Sequence, residues 1–515
     1  MMSIGQDLRY GVRVLYKDPG FTVVALLTLA LGIGANTAIF AVLNAVTLRP
    51  LRFKEPERLV RLYSQFQGAD MSRFWLSAPE YLDIRGNTKS WEAMGAYFVA
   101  GNGNLSGIAE PIQVNALFAT SDLFITLGVQ PMLGRLLAPE DEFRDGIGDI
   151  LISYGLWQRA FGGDHQIVGR TFGLDGVKVT IVGVMPAEFK FPLSDTEAID
   201  VWLPLRINAA NPGERTRHRL SVIGRLRPGV SLTQARAEMD QLLQIWTDAP
   251  TASHSFHKKE HPVVMYSLHE EVVGNVRSVL FTLLGAVSFV LLIACINIAT
   301  LQLSRVESRQ KEIAVRSAIG ATQSRLLNQF LAEGILLSFI GGLLGVIGAK
   351  WGVSILIAAN PQAFPRTEEV GIDIWVLLFT SGISIITSLL FAVAPLIHVR
   401  KLDLYRALKL AGRAAAFGRN RYLFRRALVV AEVAFASILL IGSGLMIRSF
   451  RRLQQIDIGF DHKGLLMMQI RLPRRTFQNN NSVIEFWSQV QQQLGGLPGL
   501  ISTTLTSGLP PVRSL

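Results

Sequence analysis

Four histidines lie shortly before the second long apolar run of the chain, and histidine is the side chain most suited to bind a metal or transfer a proton near neutral pH. They are His254, His257, His261 and His269. Their spacing is compatible with metal ligation. The surrounding stretch is polar, which favours a solvated loop, and we therefore predict no metal site.

The motifs of the common hydrolytic chemistries are absent from the sequence. It contains no Gly-Lys dipeptide and hence no Walker A phosphate loop, no His-Glu-x-x-His and no Gly-x-Ser-x-Gly. The single cysteine, Cys295, cannot form a disulfide within the chain. We predict that the chain is not an enzyme and has neither a catalytic residue nor a cofactor site of its own.

Residues 304–325, here named the charged connector, form a short charged segment between two apolar runs. Val315 and Ile319 are four residues apart and share one helical face. Glu312 and Arg316 have the favourable ion-pair order, which contributes about 0.2–0.5 kcal/mol. The segment is either a docking surface for a partner or a solvated turn, and these residues alone leave both interpretations open.

Five apolar runs are each long enough to cross a bilayer, which takes about 20 residues. The chain has 515 residues, of which 49% are apolar, and its mean hydropathy of +0.33 is too high for a wholly soluble protein. Span one to span five are the runs Phe21–Leu48, Val279–Leu303, Leu326–Ala358, Ile374–His398 and Ala427–Ile447.

The distribution of basic residues predicts the orientation of these spans, because basic connectors stay on the cytoplasmic side. The N-terminal tail carries Arg9, Arg13 and Lys17, and the connectors after spans two and four are also basic. The N-terminus is therefore expected inside and the long segment after span one outside. The net charge of +12 follows from this topology and from attraction to lipid headgroups, so no nucleic-acid partner is predicted.

The expected fold class is an α-helical membrane protein with about five transmembrane helices and an extracytoplasmic domain of mixed α/β structure. Residues 49–277 form that domain, here named the interspan domain. The other predicted parts are a cytoplasmic amphipathic helix (1–19), transmembrane helices (20–48, 278–303, 326–358, 374–398 and 427–448), a short external loop (359–373), a basic cytoplasmic linker (399–426) and the incomplete start of a second extracytoplasmic domain (449–515).

Periodicity predicts the elements outside the spans. Ile4, Leu8, Val12 and Leu15 line one face of a helix that we expect to lie along the inner membrane surface. In the interspan domain the predicted strands are Arg58–Tyr63, Val177–Val184 and Leu220–Leu226, and the predicted helices are Pro79–Met94, with Trp91 on its apolar side, and Ser231–Trp246.

Small residues recur at four-residue spacing in two spans, a pattern that permits close contact between helices. They are Ala30, Gly34 and Ala38 in span one and Gly341, Gly345 and Ala349 in span three. We expect the stripe of span three to pack within the subunit. The stripe of span one is expected to contact another copy or a second half of the protein.

Polar residues within spans are candidates for contacts between helices, since a central charge costs at least about 2.5–3.5 kcal/mol. Asn36, Asn44 and Asn297 are predicted to bind neighbouring helices. Glu333, Lys350 and Glu432 lie close to span ends, where snorkelling or pairing is expected.

The pattern after span five is similar to the pattern after span one. In each case a basic patch, a Phe, a polar turn and an apolar run follow the span, and Val483–Leu494 is similar to the first helix of the interspan domain. This indicates either a truncated duplication or a small second external lobe.

Several motifs together resemble known permeases. Residues 309–321, with the later Gln329–Gly334, resemble the cytoplasmic signature of FtsX-like and MacB-like ABC transporter permeases, and Asp18–Phe40 looks like the large duplicated permeases first noted in acidobacteria. The segments similar to the MacB-like periplasmic core domain are Gly155–Gly163, Ile167–Arg170, Val182–Pro186 and Arg227–Val230.

The resemblance implies a transport subunit of the bacterial inner membrane that works with a separate, ATP-binding ABC ATPase. The ATPase would bind the charged connector, and its motion would pass along spans one and two to the extracytoplasmic domain, for efflux or extraction of a periplasmic or lipid-associated substrate. The residues implied in this coupling are Arg309, Lys311, Glu312, Ile313, Val315, Arg316, Ile319 and Gly320.

The resemblance also implies partners beyond the ATPase and the lipid bilayer. These are a second permease half or a second copy of the chain, and a periplasmic adaptor or outer-membrane component. Duplicated members have two four-span halves, whereas this chain stops early in its second half. The alternative is an FtsX-like scaffold that relays the state of the ATPase to an extracytoplasmic enzyme. A membrane enzyme and a secondary transporter are disfavoured, because catalytic motifs and midplane charges are missing.

Overall fold

In a computed structural model the chain divides into two compact units. One comprises Met1–Arg49 with Val273–Gln455, and the other comprises Pro50–Val272 with Ile456–Leu515. The structure describes residues 4–66, 71–108, 110–143, 148–193, 198–248, 259–308, 323–359, 369–399, 418–455 and 479–506, with a few positions between them such as Arg366.

Long helices dominate the first unit. Across the described residues, five helices have the length and apolar composition needed to cross a membrane, which confirms the predicted number. After an N-terminal helix, Ile4–Lys17, span one is Pro19–Leu43 with a π-helical turn Asn44–Leu48, and spans two to five lie in the helices Leu268–Ser308, Gln323–Ala359, Ile374–Val399 and Gly418–Gln454.

The N-terminal helix packs against span three. Val14 and Leu15 are buried, whereas Val12 is 55% exposed. A Cβ placed on Gly11 would lie 2.8 Å from the Leu336 side chain. The small residue Gly11 allows this close approach to span three, and the prediction that Ile4, Leu8, Val12 and Leu15 face the inner membrane surface stays a prediction.

The interspan domain is built on one mixed sheet, which has eleven strands among the residues described. The strands are β1 (Leu59–Phe66), β2 (Met71–Phe74), β3 (Trp91–Ser106), β4 (Ile112–Ala119), β5 (Leu133–Gly134), β6 (Gly148–Ile152), β7 (Thr171–Leu174), β8 (Val177–Val184), β9 (Val201–Pro204), β10 (Ser221–Leu226) and β11 (Val263–Ser267). The main path runs β11-β1-β10-β3-β4-β9-β6-β8-β5, while β2 pairs with β1, and β7 pairs with β3 and β8.

Most strand pairs are antiparallel, and β4–β9 and β6–β8 are parallel. Every residue of β10 is buried, and the neighbours Val222 and Ile223 belong to different apolar clusters. Successive side chains of a strand point to opposite faces, so the sheet is covered on both sides. The helices of this domain are Ala78–Asn87, Ser121–Leu127, Pro139–Phe143, Tyr154–Phe161 and Leu232–Asp248, and Asn480–Gly495 lies near the C-terminus.

The predicted strands at β1, β8 and β10 and the predicted helix after Ser231 are confirmed. The prediction of a helix over Pro79–Met94 is wrong in its second half. The helix ends at Asn87 because Thr88 adopts an extended conformation, and Trp91 begins β3. Trp91 is buried as expected, but in a strand that pairs with β10.

Candidate functional site

Spans one and three approach each other at two glycines. A Cβ on Gly34 would lie 2.9 Å from the carbonyl oxygen of Gly345, and a Cβ on Gly345 would lie 3.0 Å from the backbone nitrogen of Gly34. A Cβ on Gly341 would lie 2.7 Å from Cβ of Leu29. The span-three stripe thus packs within the chain, and the expectation that the span-one stripe is kept for another copy is wrong at Gly34.

Buried polar side chains link span one to spans two and four. The Asn36 amide donates to the Val287 carbonyl oxygen at 2.9 Å and accepts from the Ser288 hydroxyl at 3.1 Å. The hydroxyl oxygens of Thr37 and Thr380 are 3.0 Å apart. Span one is therefore held by directional contacts as well as by packing, as predicted for Asn36.

The other polar residues singled out in the spans occupy different environments. Asn297 lies on an exposed face of span two, and its contact with a neighbouring helix stays a prediction. Glu333 is 6% exposed, and its Cγ approaches Gly11 of the N-terminal helix. Lys350 is exposed and Glu432 is half-buried.

Arg305 joins the end of span two to the chain segment before span one. Its Nε donates to Asp18 Oδ2 at 2.8 Å, and its Nη2 donates to the Val14 carbonyl oxygen at 3.2 Å. Its guanidinium carbon also lies 4.5 Å from the centre of the Phe21 ring. Because Arg305 belongs to the charged connector, these contacts position the entry to that segment.

Asp373 joins the opposite end of span one to the start of span four. Its Oδ1 accepts from the Val376 amide at 2.8 Å, and its Oδ2 accepts from Asn44 at 2.9 Å and from Arg49. Arg366 donates to the Arg49 carbonyl oxygen at 2.9 Å. Burial would raise the pKa of Asp373, but the Val376 amide and the Arg49 guanidinium outweigh it and hold that pKa below its usual range.

The residues predicted to couple the chain to an ATPase lie outside the described residues. The described residues end at Ser308 and begin again at Gln323. The predicted positions in that interval are Arg309, Lys311, Glu312, Ile313, Val315, Arg316, Ile319 and Gly320.

The four histidines of the sequence analysis do not form one group. His254 and His257 lie outside the described residues, and His269 is the second residue of the span-two helix. His261 is 5% exposed, so the prediction of a solvated loop is wrong at this position. It lies instead beside His218 and Glu80, and the ligand atoms of the three residues are within 4.8 Å of one another.

Sequence reasoning missed Glu80 and His218 as part of this cluster. The one local signal was the run Ser77-Ala78-Pro79-Glu80, whose capping-box pattern places Glu80 at the start of a helix. Nothing local connects it to His218, which is 138 positions away. Only the sheet brings the two together.

The fold and these contacts define a class of protein: a multi-pass membrane protein whose apolar helices are interrupted by a mixed α/β domain. The family description of the MacB-like periplasmic core domain matches residues 22–242, and that of the FtsX-like permease C-terminal matches residues 284–404. The chain belongs to the MacB- and FtsX-like permeases of ABC transporters. It is thus a multi-pass protein of the inner membrane, and its interspan domain is a periplasmic core domain.

Individual relatives are distant. The chain is 25% identical over 289 residues to "Macrolide export ATP-binding/permease protein MacB 2" of Aeromonas hydrophila, covering 56% of this chain and 42% of that protein. It is 26% identical over 301 residues to "Macrolide export ATP-binding/permease protein MacB" of Burkholderia lata, covering 57% and 40%. The chain therefore spans less than half the length of these curated relatives.

Among solved structures, the chain is similar to the periplasmic region of MacB from Actinobacillus actinomycetemcomitans. The two share 12% identity with a TM-score of 0.31, covering 42% of this chain and 94% of that structure.

Proposed function

We propose that this chain transmits ATP-driven motion of a separate ABC ATPase to its own periplasmic core domain. The observation that carries the proposal is the continuity of span two, a single helix of 41 residues from Leu268 to Ser308. At 1.5 Å per residue it is about 61 Å long. That exceeds the ~30 Å hydrocarbon core, so one stiff element reaches beyond the bilayer.

Contacts along span one support transmission by several helices together. Gly34 and Gly345 are in backbone contact, and Asn36 bonds to span two. Helices packed without intervening flexible side chains move as one body, because protein interiors transmit strain. A displacement applied at one end of span two is therefore shared with spans one and three.

The charged connector is the segment that we assign to ATPase binding. The sequence contains no Walker A phosphate loop, and Arg305 fixes the start of the connector through its contacts with Asp18 and Val14. In this proposal the N-terminus and the charged connector are cytoplasmic, ATP is bound by the partner ATPase, and a second permease copy or half completes the transporter.

For the substrate we propose export or extraction at the periplasmic domain. The two relatives above are named as macrolide exporters, which makes macrolides the first compounds to test. A periplasmic adaptor or outer-membrane component would complete an efflux pathway. The competing proposal is that the chain relays the state of the ATPase to an extracytoplasmic enzyme and exports nothing.

The test is to co-express the full chain with each ABC ATPase encoded in the same genome and to measure co-purification and ATPase stimulation in lipid. We expect one ATPase to bind, and the double variant Ile313→Ser/Ile319→Ser to lose stimulation, because both apolar residues belong to the set implied in coupling. The matched control is Val168→Ser with Val177→Ser, two exposed apolar residues of the interspan domain.

ATPase binding and stimulation that survive the paired connector substitutions would refute the assignment of this surface. Loss of stimulation in the control would show a general effect on the fold instead. Macrolide resistance conferred by the intact pair supports export, whereas co-purification of a cell-wall hydrolase supports the relay.

A further inference from the structure

Glu80, His218 and His261 come from three separate segments that meet at one end of the sheet. β1 lies between β10 and β11 and is antiparallel to both. The residues just before β10 and just before β11 therefore lie near the last residue of β1. Glu80 arrives at the same place through β2, which also pairs with β1.

The helix start leaves one oxygen of Glu80 available to the cluster. The Glu80 carboxylate accepts through Oε2 from the Ser77 amide at 2.8 Å, as part of a capping box. Its Oε1 lies 3.1 Å from Nε2 of His218 and 3.4 Å from Nε2 of His261. One atom of an otherwise anchored carboxylate is thus shared by two imidazoles.

The hydrogen bond of His218 Nδ1 determines whether Nε2 of the same ring acts as a donor or an acceptor. Nδ1 lies 3.1 Å from the carbonyl oxygen of Thr216, which only accepts, so Nδ1 carries the proton. In the neutral ring Nε2 then offers a lone pair to the Glu80 oxygen, which also only accepts when ionised. Two acceptors at this separation require a cation between them, either a proton on the ring or a metal ion.

The distances from Glu80 Oε1 to the two imidazole nitrogens match the spacing of ligand atoms around a metal ion. Zn²⁺ bonds to imidazole nitrogen and carboxylate oxygen in a tetrahedron have lengths that place neighbouring ligand atoms about 3.3–3.5 Å apart. The separations of 3.1 and 3.4 Å from Glu80 Oε1 are close to this range, and the ligand atoms of all three residues lie within 4.8 Å of one another. A bond from the second imidazole nitrogen to a backbone carbonyl is also the usual orienting contact of a zinc-bound histidine.

The surroundings are closed and partly aromatic. The side chains of Glu80, His218 and His261 are 0%, 4% and 6% exposed. The ring of Phe66 lies 4.1 Å from that of His261, and the ring of Phe74 lies 5.7 Å from that of His218. Burying a carboxylate beside two imidazoles is costly unless a bound cation compensates, and an apolar shell strengthens that attraction.

We propose that Glu80, His218 and His261 bind one Zn²⁺ ion through Oε1, Nε2 and Nε2, with water as the fourth ligand. Imidazole nitrogen with carboxylate oxygen suits Zn²⁺ among the divalent metals, whereas Ca²⁺ and Mg²⁺ prefer oxygen ligands alone. The ion ties the start of the Ala78–Asn87 helix to the segments that precede β10 and β11. It thereby links these three segments of the interspan domain.

The first measurement uses the full chain, purified in detergent with a tag that lacks histidine and stripped with a chelator. Zn²⁺ is titrated in competition with a chromophoric chelator, and Co²⁺ is titrated by visible absorption. We expect one equivalent of either metal per chain, tetrahedral Co²⁺ bands without thiolate charge transfer, and a higher unfolding temperature with Zn²⁺. Binding of less than one equivalent of Zn²⁺ per chain would refute the proposed site.

Variants identify the ligands. His218→Gln and His261→Gln should each weaken Zn²⁺ binding by more than about 100-fold, the upper limit for substitutions outside the ligand set. His165→Gln is the matched control, because His165 is an exposed histidine of the same domain. Equal affinity in the control and in both ligand variants would refute the proposal.

If a ligand variant fails to fold, the ligands are identified from the wild-type protein instead. X-ray absorption at the zinc edge of the stoichiometric complex should show two imidazoles and oxygen donors. A shell with fewer than two imidazoles contradicts the assignment. In that case Zn²⁺ binds elsewhere on the chain, and Glu80, His218 and His261 hold no metal ion.

Discussion

At the scale of single residues, the membrane unit depends on the absence of side chains at two positions. Gly34 and Gly345 bring the backbones of spans one and three together, with backbone atoms 2.9 and 3.0 Å from where a Cβ would lie. Backbone atoms cannot rotate away as a side chain can. Small residues at such contacts are what allows transmembrane helices to pack closely.

Replacing Gly34→Ala or Gly345→Ala should therefore destabilise the chain. Overpacking of this kind costs about 1–3 kcal/mol. Gly348→Ala is the control on the same helix, because its Cβ would meet nothing within 4 Å. It should be neutral, or stabilising by up to about 1 kcal/mol through helix propensity. Thermal and denaturant unfolding of the detergent-solubilised chain measures the difference, and equal stabilities of Gly345→Ala and Gly348→Ala would contradict the close approach.

At the scale of elements, polar contacts join the ends of the spans. They lie close to the charged connector, where we propose that ATPase motion is received, and close to the interspan domain, to which it would be transmitted. Arg305 contacts Asp18 at the charged connector, and Asp373 contacts Arg49 where span one ends. Exposed ion pairs contribute about 1 kcal/mol or less, so the first contact mainly sets geometry. Asp373 is less exposed and also caps span four through Val376.

The low pKa of Asp373 gives this contact a predictable pH dependence. Its folded pKa lies below the unfolded value of about 3.9, so its contribution to stability is complete above that value and is lost as the pH falls through the folded pKa. Asp373→Asn should lower the unfolding temperature at neutral pH, and its difference from the wild type should shrink below about pH 4. Asp240→Asn, an exposed aspartate on the Leu232–Asp248 helix, is the control. A difference that is independent of pH would show that Asp373 acts without its charge.

At the scale of the whole molecule, the five spans differ in how much of their surface the chain itself covers. The apolar window of span three is 44% buried and that of span one is 39% buried, whereas that of span five is 0% buried. Within the described residues, span five contacts span two at the Phe289–Phe435 ring pair and at Leu428. Its apolar side chains are suited to lipid, as expected for a span of the bilayer.

The orientation of the chain can be measured by labelling with a membrane-impermeant maleimide. In a Cys295→Ala background, Lys178→Cys lies on an exposed strand of the interspan domain and Arg9→Cys lies on the exposed side of the N-terminal helix. We expect intact spheroplasts to be labelled at position 178 and protected at position 9 until the membrane is permeabilised. Labelling at position 9 in intact spheroplasts would reverse the proposed topology.

The sequence alone was sufficient for the features that depend on local composition. The number of spans follows from the length of apolar runs, and the helix after Ser231 follows from its periodicity, because each property belongs to neighbouring residues. The same reasoning failed at Trp91, where an aromatic residue at helical spacing begins a strand instead. The local pattern could not decide between a helix and a strand at Trp91. The strand depends on pairing with β10, which lies far along the chain.

Only the tertiary structure decided which distant residues are in contact. Gly34 could have packed against another copy of the chain, and the helix crossing pairs it with Gly345. His261 was expected in a solvated loop, and the antiparallel pairing of β1 with β10 and β11 places it beside Glu80 and His218. The physical reason is the same in each case: helix crossings and strand register depend on how the whole chain packs, and no short stretch of sequence encodes them.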